Sequence, residues 1–182
     1  MKKNILLVEY CSGTIDTLKE LLHPKIFDIT VAGNEEVAKV LLNKIRFDML
    51  ITETLLPKSH GFILSKYVSE NYPRTKIIII SEKLKKVDYK QDAITKYGAI
   101  DFFEKPLNTK KLKKVIFKAL DISKNDLLGI EDTTGVTTNI HVLPDLKKIK
   151  SEKGRDTEKD NSGEGLEYED VDKNSQYKIE LD

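Results

Sequence analysis

Short apolar runs recur along the first two thirds of the chain, at residues 5–8, 27–31, 49–52, 77–80 and 100–103. Ile77-Ile78-Ile79-Ile80 has no polar alternation at all, as expected of a strand covered on both faces. Between the runs, apolar residues fall at helical spacing: Ile15, Leu18, Leu21 and Leu22, then Val37, Val40, Leu41 and Ile45, then Ile63, Tyr67 and Val68. The last such segment turns Leu112, Val115, Ile116, Ala119 and Leu120 inward, and Lys110, Lys111, Lys113, Lys114 and Lys118 largely outward. Asn34 ahead of Glu35-Glu36-Val37 predicts a helix N-cap with acidic residues in the first turn, and Asn108 ahead of Thr109 predicts another cap. Strand and helix in strict alternation predict an α/β fold, a (βα)5 parallel sheet wrapped by helices.

Beyond Leu120 the pattern fails. Residues 1–120 hold 22 lysines and arginines against 14 acidic residues, a charge of +8, and residues 121–182 hold 9 against 16, a charge of −7. The overall +1 conceals this split, and by itself points to neither nucleic acid nor a membrane surface. The composition predicts one domain over residues 1–120 and an acidic, low-complexity, largely disordered tail over 121–182. Residues 135–143 are the exception, with Val136, Thr137, Thr138, Ile140 and Val142 suiting one short strand or a hairpin. The apolar run at residues 5–8 is too short for a signal-peptide core or a membrane span, and the single Cys11 has no internal disulfide partner. A cytoplasmic setting is the expectation.

In a parallel sheet, ligands and chemistry gather beyond the C-terminal ends of the strands. The residues there are Glu9-Tyr10, Glu53, Ser81 and Lys105-Pro106, with Pro57 and Gly61 after Glu53 and Gly98-Ala99 before the last run. In order and separation this set resembles the response-regulator receiver family across about residues 3–120. The resemblance implies a flavodoxin-like doubly wound sheet of strand order 2-1-3-4-5. It also implies roles in a two-component phosphorelay: an acidic pair after the first strand that helps hold Mg2+, an aspartate after the third that takes a phosphoryl group, a Ser or Thr after the fourth, and a Lys after the fifth. Ser81 and Lys105 match the last two as phosphate-contact equivalents, and Phe102 matches the family's switch aromatic.

The first two roles are altered. Glu9 and Tyr10 stand at the acidic pair, so one carboxylate gives way to a neutral phenol, and a Mg2+ site drawn from Glu9 and Glu53 is expected to be weak or absent. Glu53 stands at the phosphoacceptor position. It keeps the charge but carries it one methylene further out, which spoils the in-line alignment that phosphoryl transfer demands. Asp48 does not replace it, because it begins the same strand and so lies at the opposite end of the sheet. A carboxylate carries about one charge where a phosphoryl group carries nearly two, so mimicry of an activated state is partial.

These departures predict a non-enzymatic pseudo-receiver without cofactor, binding a protein partner through the face of the fourth helix, fifth strand and fifth helix. A sensor kinase or a downstream regulator is the expected kind of partner, and a homodimer is left open. A receiver that retains Mg2+-dependent phosphotransfer, or an adaptor that influences transcription indirectly, remains open at this point, as does a plain structural ion pair between Glu53 and Lys105. Direct DNA binding is not expected, since the residues after Leu120 are acidic and lack a recognition-helix pattern. Cys11 suits an inert surface thiol better than a redox sensor. His23, His60 and His141 lack zinc-type spacing, and no P-loop, dinucleotide turn or Ser-His-Asp set occurs.

Overall fold

The computed structural model describes residues 2–123, 126 and 141–142. In chain order it runs β1 (Lys3–Val8), α1 (Ser12–Leu21), β2 (Phe27–Ala32), α2 (Glu35–Lys44), β3 (Met49–Glu53), β4 (Leu55–Leu56), β5 (Ser59–His60), α3 (Gly61–Asn71), β6 (Lys76–Ser81), α4 (Val87–Thr95), β7 (Asp101–Glu104), α5 (Thr109–Ala119) and β8 (His141–Val142). The main sheet has the order β7-β6-β3-β1-β2-β8, with every pair parallel. Its five principal strands, β2-β1-β3-β6-β7, have the doubly wound order that the resemblance implied.

Successive strand residues face opposite sides, and each side builds its own core. Leu6, Val8, Leu50, Ile77, Ile79 and Phe102 pack with α2, α3 and Ala93 of α4. Ile5, Leu7, Met49, Ile51, Ile78, Ile80 and Phe103 pack with α1 and α5 through Leu18, Leu112 and Ile116. Each such side chain taken fully out of water contributes about 1.5–3 kcal/mol. Both predicted caps form: the Asn34 Oδ1 accepts from Val37 N at 2.9 Å, and the Asn108 Oδ1 accepts from Lys111 N at 3.0 Å.

Several positions differ from the sequence expectation. On α2 the buried stripe is Val37, Ala38, Leu41 and Leu42, while Ile45 caps the helix end and is 41% exposed. On α3 it is Phe62, Leu64, Ser65 and Val68, leaving Ile63 and Tyr67 on the flank. Apolar residues on neighbouring helical stripes are interchangeable to periodicity alone, and packing decides between them. Ile100 precedes β7 and is 39% exposed, because the register pairs Asp101 with Ile78 and moves the strand one residue later. An antiparallel pair, β4 with β5, inserts before α3, and at its turn Lys58 takes a φ of 61°, a left-handed conformation that favours glycine.

Within the expected strand or hairpin at residues 135–143, residues 141–142 form β8, which adds to the edge of β2 opposite Thr30 and Val31. The expected disorder of the tail falls on residues outside the described ones.

Candidate functional site

The chain runs from β1 outward to β2 and then crosses to β3 on the other side of β1. This reversal opens the crevice where such sheets hold their sites. Val8 pairs with Thr52, so Glu9 and Glu53 leave adjacent strands side by side. On the far side of β6, Glu104 pairs with Ser81, and Lys105 N donates to Ser81 O at 2.7 Å, fixing the root of the lysine. From there its long side chain crosses β6 to reach the two acids.

The Lys105 ammonium lies 2.7 Å from Glu9 Oε2 and 2.7 Å from Glu53 Oε2. Only the contact to Glu9 has hydrogen-bond geometry; Glu53 Oε2 meets the ammonium as a close charge pair. The other oxygens are also taken. Glu9 Oε1 accepts from the backbone N–H groups of Tyr10 and Cys11, both at 2.9 Å. Glu53 Oε1 accepts from Thr54 N at 2.8 Å and from the Thr54 hydroxyl at 2.7 Å. Both glutamates are buried, at 1% and 2% exposure. Burial opposes the charge on Lys105, but its contacts with Glu53 and Glu9 outweigh that and raise its pKa above the usual lysine value.

Gly61, at the start of α3, explains the close fit of this end of the sheet. A Cβ there would lie 1.9 Å from the Glu53 carbonyl oxygen, and Gly61 N donates to Thr54 O at 2.8 Å. Any side chain at residue 61 would push α3 off β3 and disturb Glu53. Gly98 serves elsewhere, with a φ of +71° and a Cβ position 2.6 Å from that of Ser69.

The model of the response regulator receiver domain matches residues 5–117. The chain belongs to this family. Among curated proteins, this receiver is 31% identical over 93 residues to the response regulator protein PilR of Pseudomonas aeruginosa, covering 51% of the chain and 20% of that protein. It is 30% identical over 108 residues to the transcriptional regulatory protein CpxR of Escherichia coli, covering 59% of the chain and 45% of that protein. The chain therefore spans less than half the length of these relatives. Among solved structures, the signal receiver domain of a putative Luxo repressor protein from Vibrio parahaemolyticus superposes with a TM-score of 0.61 at 25% identity, covering 72% of this chain and all of that one. The receiver domain of an HD domain-containing protein from Pseudomonas fluorescens gives 0.61 at 24% identity, covering 66% and 96%, and shares the fold.

Set against the roles in its family, the receiver brings Glu9, Glu53 and Lys105 together but keeps the others apart. Tyr10 is 53% exposed, and desolvation, followed by the charges of Glu53 and Glu9, raises the pKa of its phenol. Ser81 is buried, and its hydroxyl bonds not a glutamate but the Thr54 hydroxyl, at 2.8 Å, and Leu84 N–H, at 2.9 Å. Phe102 is 4% exposed, packed in the core beneath α4. Cys11 occupies the N-cap position of α1 without a side-chain cap bond and is exposed, and the neighbouring Thr14 lowers its thiol pKa.

The donor set does not fit a Mg2+ site of the receiver kind. All four carboxylate oxygens are engaged, an ammonium already stands between the two acids, and residue 10 supplies a phenol. Among the described residues no group of three or more His, Cys, Asp or Glu side chains is placed to hold a metal ion, and no helix is long and apolar enough to cross a membrane.

Sequence reasoning missed Thr54. Fully buried, it joins Glu53 to Ser81 through one hydroxyl. A hydroxyl directly after the acceptor position, one strand away from another hydroxyl, was the available signal.

Proposed function

We propose that this receiver works without a phosphorylation cycle, as a non-enzymatic signalling module that presents the face of α4, β7 and α5 to a protein partner. One observation carries the proposal: the carboxylate at the acceptor position is buried, with one oxygen held by Thr54 and the other in a close charge pair with Lys105. An incoming phosphodonor needs a free acceptor oxygen and a cation to gather its charge, and both requirements meet the same lysine. The output face is suited to docking, with Val87 78%, Ile94 45% and Ile100 39% exposed, and with exposed lysines on α5. A kinase or a downstream regulator in the cytoplasm is the partner this face would serve, and any effect on transcription would pass through that partner.

Intact mass after incubation with acetyl phosphate and Mg2+ tests the proposal. The expected result is an unchanged mass for the wild type and for Glu53→Gln alike. A stable phosphoryl adduct on the wild type that is absent from Glu53→Gln would overturn it in favour of a phosphotransfer receiver.

A further inference from the structure

Between the Glu53 carboxylate and the loop entering α4, a line of hydrogen bonds has its direction fixed by chemistry. A carboxylate only accepts, so the Thr54 hydroxyl gives its one proton to Glu53 Oε1, at 2.7 Å. With that proton committed, Thr54 Oγ1 must accept in its 2.8 Å contact with Ser81, whose hydroxyl therefore donates. Ser81 Oγ in turn accepts from Leu84 N–H at 2.9 Å. Donation runs one way, from Leu84 through Ser81 and Thr54 to Glu53. Thr54 and Ser81 are both fully buried, so water does not offer substitute partners, and each bond in such a line polarises the next.

The geometry points to Thr54 as the positioning residue through which the charge at residue 53 sets the loop before α4. This rests on Glu53 acting as a fixed charge, and it adds the route by which that charge is felt. A neutral amide at residue 53 keeps its oxygen on the Thr54 N–H and hydroxyl but carries no charge, so it is a weaker acceptor for both. The polarisation passed from Thr54 to Ser81 then falls, and the bond from Leu84 N–H to Ser81 loses the pull of the carboxylate. The loop over Leu84 leads directly into α4, whose Val87 and Ile94 form part of the output face.

Hydrogen exchange at the Leu84 amide, followed by NMR in the full chain, tests the route. Glu53→Gln is expected to speed exchange there about fivefold, the scale of one weakened hydrogen bond. The same change in a Thr54→Val background should leave the rate where Thr54→Val alone puts it, and Thr54→Ser, which keeps the hydroxyl, should restore the response. Ser81→Ala breaks the line one link further on and should silence it as well. An equal response to Glu53→Gln in the Thr54→Val and Ser81→Ala backgrounds would overturn the inference, since the charge would then reach the loop by another path. A phosphoryl adduct on the wild type would sink the proposed function and leave this cycle of variants standing.

Discussion

Strand β3 carries a carboxylate at each end, and the two are held in opposite ways. Asp48, just before the strand, is half-buried, and its Oδ2 accepts from the backbone N–H of Asn4 at 2.8 Å. Backbone bonds flank it, Asp48 N to Asn4 O at 2.8 Å and Lys76 N to Asp48 O at 2.9 Å, so it clips three neighbouring strands at their N-terminal ends. Glu53, at the other end, is buried, and besides the backbone N–H of Thr54 it leans on side chains: Lys105, the Thr54 hydroxyl and, through that hydroxyl, Ser81. A partner made of backbone cannot leave without unfolding the sheet, whereas a partner made of side chains can rotate away. The same charge thus serves as a fastener at one end and as a setting at the other.

The largest effect should come from removing the shared cation. Lys105→Met leaves two buried carboxylates facing each other without a counter-charge. Loss of one partner of a buried pair costs about 3–5 kcal/mol, and because the lysine side chain keeps 11% exposure the lower end, about 3 kcal/mol, is expected in urea unfolding. A loss below about 1 kcal/mol would mean the glutamate end is as loosely solvated as a surface pair.

A smaller effect of known sign follows with pH. The folded state raises the Lys105 pKa, so protonation favours folding. Its contribution is complete below the unfolded lysine value of about 10.4 and fades as pH rises through the higher folded value. The stability difference between wild type and Lys105→Met should therefore hold steady from neutral pH to about 9 and narrow above about 10.5. Comparing the two proteins cancels the other lysines and tyrosines that titrate in the same range. A difference that stayed constant through pH 11 would show that the ammonium gains nothing from its two acids.

Much of this was open to sequence reasoning, and the exceptions have physical causes. The parallel sheet was legible because buried strands need apolar residues on both faces, as Ile77–Ile80 show. Both asparagine caps were legible because few residues satisfy a helix N-terminus. Glu9, Glu53 and Lys105 were legible as strand-end residues, and Glu53 was legible as facing Lys105, but the second 2.7 Å contact of the lysine, to Glu9, was not, because side-chain reach across β6 is a matter of rotamers. Ile45 and Tyr67 misled because a helix with apolar residues on two stripes buries whichever stripe the sheet selects. Helix α4 carried the weakest signal, with Ala93 its one buried residue, and an element held by so little packing suits a face whose position is adjustable.

The smallest expected effect completes the contrast at the other end of β3. Asp48→Ala removes one acceptor from a backbone N–H that lies near water, so the cost should be about 1 kcal/mol in urea unfolding. Because no side chain of the Glu53 cluster touches it, the cost should be the same in the Lys105→Met background, adding to within about 0.5 kcal/mol. Glu53→Gln with Lys105→Met should behave otherwise, since the two share a contact and removing one carboxylate relieves the repulsion that the lost lysine exposes. Additivity at Asp48 together with strong coupling at Glu53 would establish the two ends as mechanically separate. Coupling of Asp48 to Lys105 would instead mean that β3 transmits strain along its length, and the N-terminal clip would then belong to the same device as the glutamate.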